Sequence, residues 1–502
     1  MKPTIFCLLS SICLLLNAQN KQDYVWVGGY QINVNGGANG YKLDFNKPFE
    51  VLYLNPPLGF LGNNTSICDK NGNLLFYTNG RAIVNSLHQI MPNGDSINAG
   101  KWADVFWKNP FDGYPGAQDV MILPDPKDEG GYYLFHKPNI YYPMIDDSIA
   151  MMYSKIDLNL ESGIGDVITK NEVYYLPQNV LRYYFTAIQH ENKKDWWILQ
   201  PIEKDSIFLT FLLDSNGIKR MQDQNSHVYF TREKSSASGM AKFSPDGTKY
   251  ALYNEYDKLL VYSFNRLTGS IIYKNKIITH DTSGQAIFCS VEWSPNSRFI
   301  YTATETKIHQ VDTWASDLQE SVIEVATYDG MQDPFSSIFN FMAQGPDCRI
   351  YITPKSGSNS LSVINKPNEK GTACNFVQNG IKLPYPNGGS LPNFPRFRVD
   401  DVDKCDPKIT SVFGNAVYYR RELEVYPNPS NGLFMIKLPE AVSKANLIVT
   451  NVNGQIIHQK EIHSSKIEEL DISSQPCGRY NIEVYPLDQS ERVYFGVQVV
   501  KI

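Results

Sequence analysis

Five polar residues sit where they could do chemistry: Gln118, Asp119, His190, Ser238 and Glu292, each on or beside a short alternating run. Imidazole can act as base, metal ligand or hydrogen-bond donor near neutral pH, so His190 is the most versatile of them. His190, Gln118 and Glu292 form the catalytic candidate set. His190 with Asp195 also fits a simpler role, tying its own β-turn, and Glu292 beside Trp293 also fits a solvated strand residue. The aromatic pairs suggest a second kind of site. Tyr132-Tyr133, Tyr141-Tyr142, Tyr174-Tyr175, Tyr183-Tyr184-Phe185 and Trp196-Trp197 place neighbouring rings on opposite faces of a strand, so only one of each pair can enter a given core. A ring left outside can stack on a sugar. Tyr141, Tyr142, Trp196 and Trp197 are the ligand-binding candidates.

Other chemistry finds little support. The chain has no Gly-x-Ser-x-Gly elbow, His-Glu-x-x-His, phosphate-cradling Gly-x-x-x-x-Gly-Lys-Ser/Thr or EF-hand loop. Gly36-Gly37-Ala38-Asn39-Gly40 precedes no helix-forming run and reads as a loop. No metal site is assigned and no cofactor is expected, although Asp400, Asp401, Asp403 and Asp406 could offer oxygens to Ca²⁺. A formal charge of −6 over 502 residues argues against nucleic acid as a partner. There is no Cys-x-x-Cys. Among the late cysteines Cys348 and Cys374 are the favoured disulfide, which would contribute roughly 3 kcal/mol by loop closure.

The elements that position these residues repeat. Phe243-Ser244-Pro245-Asp246-Gly247 leads into Lys249–Tyr253, Trp293-Ser294-Pro295-Asn296-Ser297 into Arg298–Thr302, and Gly345-Pro346-Asp347-Cys348 into Arg349–Thr353. A strand, a tight turn and a second strand thus recur about every fifty residues. One unit reads in full: Gly239–Phe243, Tyr250–Tyr253, Leu259–Phe264 and a fourth strand from Ser270. Four antiparallel strands at this period describe a propeller blade. Weaker copies begin at Cys68, Leu123 and His190, making six blades. Tyr24–Val34 and Phe394–Val399 are expected to make the seventh by joining the two ends. The fold class is all-β, a seven-bladed β-propeller followed by a small β-sandwich.

The ends of the chain read as addresses. Lys2 precedes an apolar run from Ile5 to Leu16, too short to span a bilayer, with Ala18 before the expected cut. Residues 1–18 are therefore expected to be a signal peptide, 19–405 the propeller, 406–421 a linker and 422–502 the terminal domain. No further run is long and apolar enough to be a transmembrane segment of the mature chain. Near the far end, Tyr426-Pro427-Asn428-Pro429-Ser430-x-Gly432 opens a series of alternating strands that closes on Val499-Val500-Lys501-Ile502. Two prolines stiffen the opening, and Gly432 permits a turn.

This terminal stretch, from about Glu422 to Ile502, closely resembles the C-terminal sorting domain of the type IX secretion system of Bacteroidetes. The middle of the chain resembles secreted Bacteroidetes proteins with a WD-like propeller before such a domain. The resemblance rests on Asp69-x-Asn71-Gly72-Asn73-Leu74-Leu75-Phe76-Tyr77, His190-x-Asn192-x-x-Asp195-Trp196-Trp197 and Ser390-Leu391-Pro392-Asn393-Phe394-Pro395. It implies export across the outer membrane to the cell surface or medium, with the secretion machinery as partner and the sorting domain removed within or just after the linker. Ser96, Ser148 and Ser206 each follow Asp and precede Ile, the short acceptor pattern for O-glycosylation in that group. The leading function is a binding or adhesion module for polysaccharide or a surface protein. The alternatives are a polysaccharide lyase or hydrolase with its site in the axial channel, and a structural surface-layer component.

Overall fold

The computed structural model describes residues 20–399 and 419–502, apart from short internal stretches of which 104–112, 139–149, 231–238 and 280–287 are the longest. The expected signal peptide, Ser148, Ser238, Tyr141, Tyr142, the Asp400–Asp406 cluster and nearly all of the expected linker lie outside the described residues.

The repeat read from the sequence is the structural unit. In what we number blade 5, Met240–Phe243, Lys249–Asn254, Lys258–Phe264 and Ile271–Ile277 pair antiparallel in chain order, with Phe243 opposite Tyr250 and Leu252 opposite Leu260. The tight turn between the first two strands is tied by side chains. Thr248 N donates to Asp246 Oδ1 at 2.9 Å and Lys249 N to Ser244 Oγ at 3.0 Å. Gly247 holds φ +68°, and a Cβ there would lie 2.5 Å from Arg266 Cδ, so glycine suits this turn; Ser297 and Cys348 take the same place in blades 6 and 7 at φ +59° and +65°.

Four-stranded sheets of the same order form blade 3 (Val120–Pro124 to Asp166–Tyr175), blade 6 (Ser290–Trp293 to Ile323–Thr327) and blade 7 (Phe339–Gln344 to Phe376–Asn387). Blade 4 runs from Thr186–Gln189 to Gly217–Arg220, with a short extra strand on its third member. Among the described residues blade 2 has three strands, Thr65–Cys68, Leu74–Thr78 and Ile83–Asn85. So does blade 1, Val25–Ile32, Ala38–Asp44 and Glu50–Leu54.

The ring closes through apolar packing between consecutive sheets. Val25 and Val27 meet Tyr77 and Val84 between blades 1 and 2; Phe76, Phe135 and Trp196 share a cluster across blades 2, 3 and 4. Trp197 and Tyr250 join blades 4 and 5, Val261 and Trp293 join 5 and 6, Tyr301 and Ile350 join 6 and 7, and Tyr351 and Trp26 join 7 back to 1. A sheet sandwiched on both faces buries alternate residues of both parities, which is why Trp196–Pro201 is buried at every position.

One expectation about closure is overturned. Blade 1 draws all three of its propeller strands from the N-terminal region, and Phe394–Val399 is not a strand of it. The segment Ser390–Val399 instead runs down the middle of the ring. Asn393 N donates to Asn64 O of blade 2 at 2.8 Å, and Arg396 N to Ala187 O of blade 4 at 3.4 Å. Pro392 and Pro395 have no amide to donate, which suits a segment that no strand flanks continuously. Its rings complete the surrounding cores: Phe394 lies 6.0 Å from Trp26, and Phe397 5.7 Å from Trp196.

The terminal domain is a sandwich of two sheets around Phe434, Leu447, Tyr480, Val484 and Phe495. Glu424–Tyr426, Leu433–Lys437 and Ile467–Asp471 form the smaller sheet. Lys444–Asn451, Ile456–His463, Gly478–Pro486 and Val493–Lys501 belong to the larger. Tyr419–Glu422 pairs in parallel with both Glu50–Leu54 of blade 1 and Val493–Lys501, so the two domains share one continuous sheet.

Candidate functional site

The inner strands bring Gln118 and Glu292 to the axis, where both are engaged by the chain itself. Gln118 Nε2 donates to Ala241 O at 3.0 Å and to Asn393 Oδ1 at 3.2 Å, while its Oε1 accepts from Ala241 N at 2.8 Å. Asn393 Nδ2 in turn donates to Val120 O and Phe185 O at 3.0 and 3.2 Å. Glu292 accepts from Trp293 N at 2.8 Å and Gln344 N at 3.2 Å, and it pairs with the Arg396 guanidinium. Arg396 also donates from Nε to Phe243 O at 2.7 Å and from Nη1 to Gln344 Oε1 at 2.9 Å. Thus Asn393 and Arg396 bind the axial segment to blades 2 through 7. The axial channel expected to hold a catalytic site is occupied by residues 390–399.

His190 is elsewhere, at the first turn of blade 4. Its Nδ1 accepts from Asn192 N at 3.0 Å and its Nε2 faces Leu267 O at 3.0 Å, which fixes the Nε2-protonated tautomer. Asp69 and Asp125 take the N–H two residues on in the same way in blades 2 and 3. His190 therefore stands where its neighbours use a turn-tying carboxylate, and no contact joins it to Gln118 or Glu292.

Two further expectations are corrected. Trp196 and Trp197 are 2% and 3% exposed, and Trp197 Nε1 donates to Arg266 O at 2.7 Å, so neither can receive a ligand. Cys374 is a buried free thiol, so the Cys348–Cys374 bridge does not form, although Cys348 is itself disulfide-bonded. Of the acceptor serines, Ser96 is exposed on a turn and Ser206 is half-buried.

The tight turns and the third-to-fourth-strand turns share one face of the ring, and sequence reasoning missed what that face presents. Trp314, on the turn after Lys307–Asp312, is 65% exposed. The Arg298 guanidinium stacks 4.8 Å from its ring centroid. Asp312 holds that guanidinium with two bonds of 2.9 and 2.7 Å. The ion pair keeps Asp312 below the usual carboxylate range. Trp314 is thus a braced aromatic platform. A tryptophan between Thr313 and Ala315 in a polar turn was the available signal.

At the centre of the same face, beside the tight turns of blades 5, 6 and 7, is a cavity of about 50 Å³ lined by Lys242, Glu292, Arg396, Arg398 and Asp23. Lys242 comes from the inner strand of blade 5. Burial lowers its pKa to about 8, with Arg396 adding to the drop and Glu292 opposing it. A larger cavity, about 740 Å³, lies between Leu52–Asn55 and Gly496–Gln498 and so needs the terminal domain as one wall.

In the terminal domain the Tyr426–Gly432 motif grips the last strand. Ser430 N donates to Val500 O at 3.0 Å, and Asn428 Oδ1 accepts from Val500 N at 2.9 Å. Gly432, at φ +115°, would place a Cβ within 2.5 Å of Ser473. Residues 424–492 match the family described as secretion system C-terminal sorting domain. The protein is a cargo of the type IX secretion system. Its destination is the cell surface or the extracellular space, and handling by that machinery follows from the sorting domain. No curated protein matches the chain. Among solved structures, a protein of unknown function from Desulfotomaculum acetoxidans is 12% identical at TM-score 0.42, covering 74% of this chain and 99% of its own. The periplasmic gluconolactonase of Pseudomonas aeruginosa is 11% identical at TM-score 0.40, covering 72% and 97%. Likenesses this remote carry no argument about activity.

Proposed function

We propose that the exported cargo is a binding module of the WD-like Bacteroidetes type, spanning residues 19–405 and freed from its sorting domain by a cut within or just after the linker 406–421. The observation that carries this reading is the filled axis. Gln118 and Glu292 spend their hydrogen-bonding capacity on residues 390–399 and on the backbone of blades 5, 6 and 7, which leaves the channel-enzyme alternative without these two candidate groups. What the propeller offers to solvent is a rigid face of tight turns with Trp314 braced on it. A tryptophan held this way loses little entropy on contact and suits stacking against a sugar ring.

The test is glycan-array binding of the sorted protein and its Trp314→Ala variant. Replacement of a side chain 65% exposed should leave the fold unchanged. The reading expects at least a tenfold loss of affinity for the polysaccharide bound by the wild type. Equal binding by both proteins would move the ligand site off this face.

A further inference from the structure

We propose that the cavity at the centre of the tight-turn face is a site for the carboxylate group of a small hydroxy-acid, with Lys242 holding the carboxylate and Asp23 receiving the hydroxyl. The argument starts from charge. Three cationic side chains (Lys242, Arg396, Arg398) and two carboxylates (Asp23, Glu292) line the cavity, leaving one positive charge in excess. The pairing is specific. Arg396 is matched with Glu292, and Arg398 Nη2 donates to Asp23 Oδ2 at 2.6 Å. Lys242 is the cation left over. It is 5% exposed and makes no side-chain hydrogen bond or ion pair among the described residues. An ammonium group buried without a partner is costly, and at neutral pH a lysine whose pKa falls only to about 8 still carries its charge.

The second observation is an orphan acceptor. Asp23 is 6% exposed, and its Oδ1 is buried with no hydrogen-bond partner although Oδ2 is satisfied by Arg398. Lys242, an unmatched cation, and Asp23, which carries an unmatched acceptor, therefore line the same cavity. A plain anion answers only the first. A carboxylate with a neighbouring hydroxyl answers both, accepting from Lys242 Nζ and donating to Asp23 Oδ1. Size agrees, since about 50 Å³ exceeds the roughly 30 Å³ share of one water and suits a carboxylate head but not a sugar ring. The rim is stiff, because Pro245, Pro295, Pro392 and Pro395 are four of its residues. The hydroxy-acid can be free or can be the terminal uronate of an acidic glycan, whose carboxylate is flanked by the C4 hydroxyl.

The experiment is thermal unfolding of the full chain with sodium glycolate, acetate or glucuronate, each against sodium chloride at equal ionic strength. The site predicts a raised midpoint with glycolate and a smaller rise with acetate. A rise with glucuronate as large as that with glycolate identifies a sugar acid as the source, and its absence identifies a free small acid. Lys242→Met keeps the length of the side chain and should abolish the response, with at least a tenfold loss of affinity. Asp23→Asn should erase the preference for glycolate over acetate while retaining a response to both. In the wild type the response should fade as pH rises through about 8, where Lys242 loses its proton among Asp23, Glu292, Arg396 and Arg398. The Trp314→Ala variant should respond like the wild type, which separates this site from the glycan platform. No shift with any acid in the wild type, or an equal shift in Lys242→Met, would overturn the proposal.

Discussion

Replacing Arg396 with methionine should loosen the propeller from its axis. The substitution keeps most of the aliphatic length but removes three donors: those to Phe243 O, Gln344 Oε1 and Glu292. The Glu292 side chain is 2% exposed and that of Arg396 15%, so the carboxylate would remain buried with only the Trp293 and Gln344 amides as hydrogen-bond partners. Breaking a buried pair by removing one partner costs about 3–5 kcal/mol, and the two retained amides place this case near the lower end, about 3 kcal/mol. All seven tryptophans fall between Trp26 and Trp314, so denaturant unfolding followed by tryptophan fluorescence reports on the propeller without the sorting domain. The midpoint should fall with little change in slope. The double variant Arg396→Met, Glu292→Gln should recover a substantial part of the loss, because the stranded charge is gone. A loss below about 1 kcal/mol, or a double variant less stable than Arg396→Met alone, would refute the clamp.

Burial holds the His136 imidazole down to a pKa of about 3, with Asn98 Oδ1 and Ser154 Oγ on its two nitrogens at 2.8 and 3.0 Å. Its folded pKa lies below the unfolded value near 6.5, so its contribution is fully present above 6.5. It is lost as pH falls from there toward 3, at about 1.4 kcal/mol per pH unit. His136→Gln should show a shallower fall by that one proton over this window, and identical slopes would place His136 in water. Deleting residues 422–502 should leave the protein inside the outer membrane, as cell fractionation would show; normal export would remove the sorting domain from the account. If Ser96 carries a glycan, mass spectrometry of the exported protein should find the added mass there and lose it in Ser96→Ala.

The parts of this structure legible in the sequence are local. Ser244-Pro245-Asp246-Gly247 and its copies carry turn chemistry within a few residues, so blade 5 is found almost strand for strand. Tyr426–Gly432 is similarly self-contained. The misplaced parts depend on partners far along the chain. Phe394–Val399 alternates like a strand, but its partners are single atoms on blades 4 to 7 and on Asp23 rather than one neighbouring edge. Trp196 and Trp197 look like a half-exposed pair until the sheet is seen to be covered on both faces. His190 suggested catalysis by residue type, whereas its place in the turn is the one Asp69 and Asp125 occupy. Lys242, between Ala241 and Phe243 on an inner strand, was a charge at a buried position and the clearest overlooked signal.

The central claim, that the chain fills its own axis, is tested most directly by amide hydrogen exchange of the segment Leu391–Val399. The Asn393 amide, bonded to Asn64 O at 2.8 Å in the middle of the ring, should exchange as slowly as the core amides of Met240–Phe243. Exchange of Asn393 within seconds, while Met240–Phe243 stays protected, would mean the axis is open and would contradict the account.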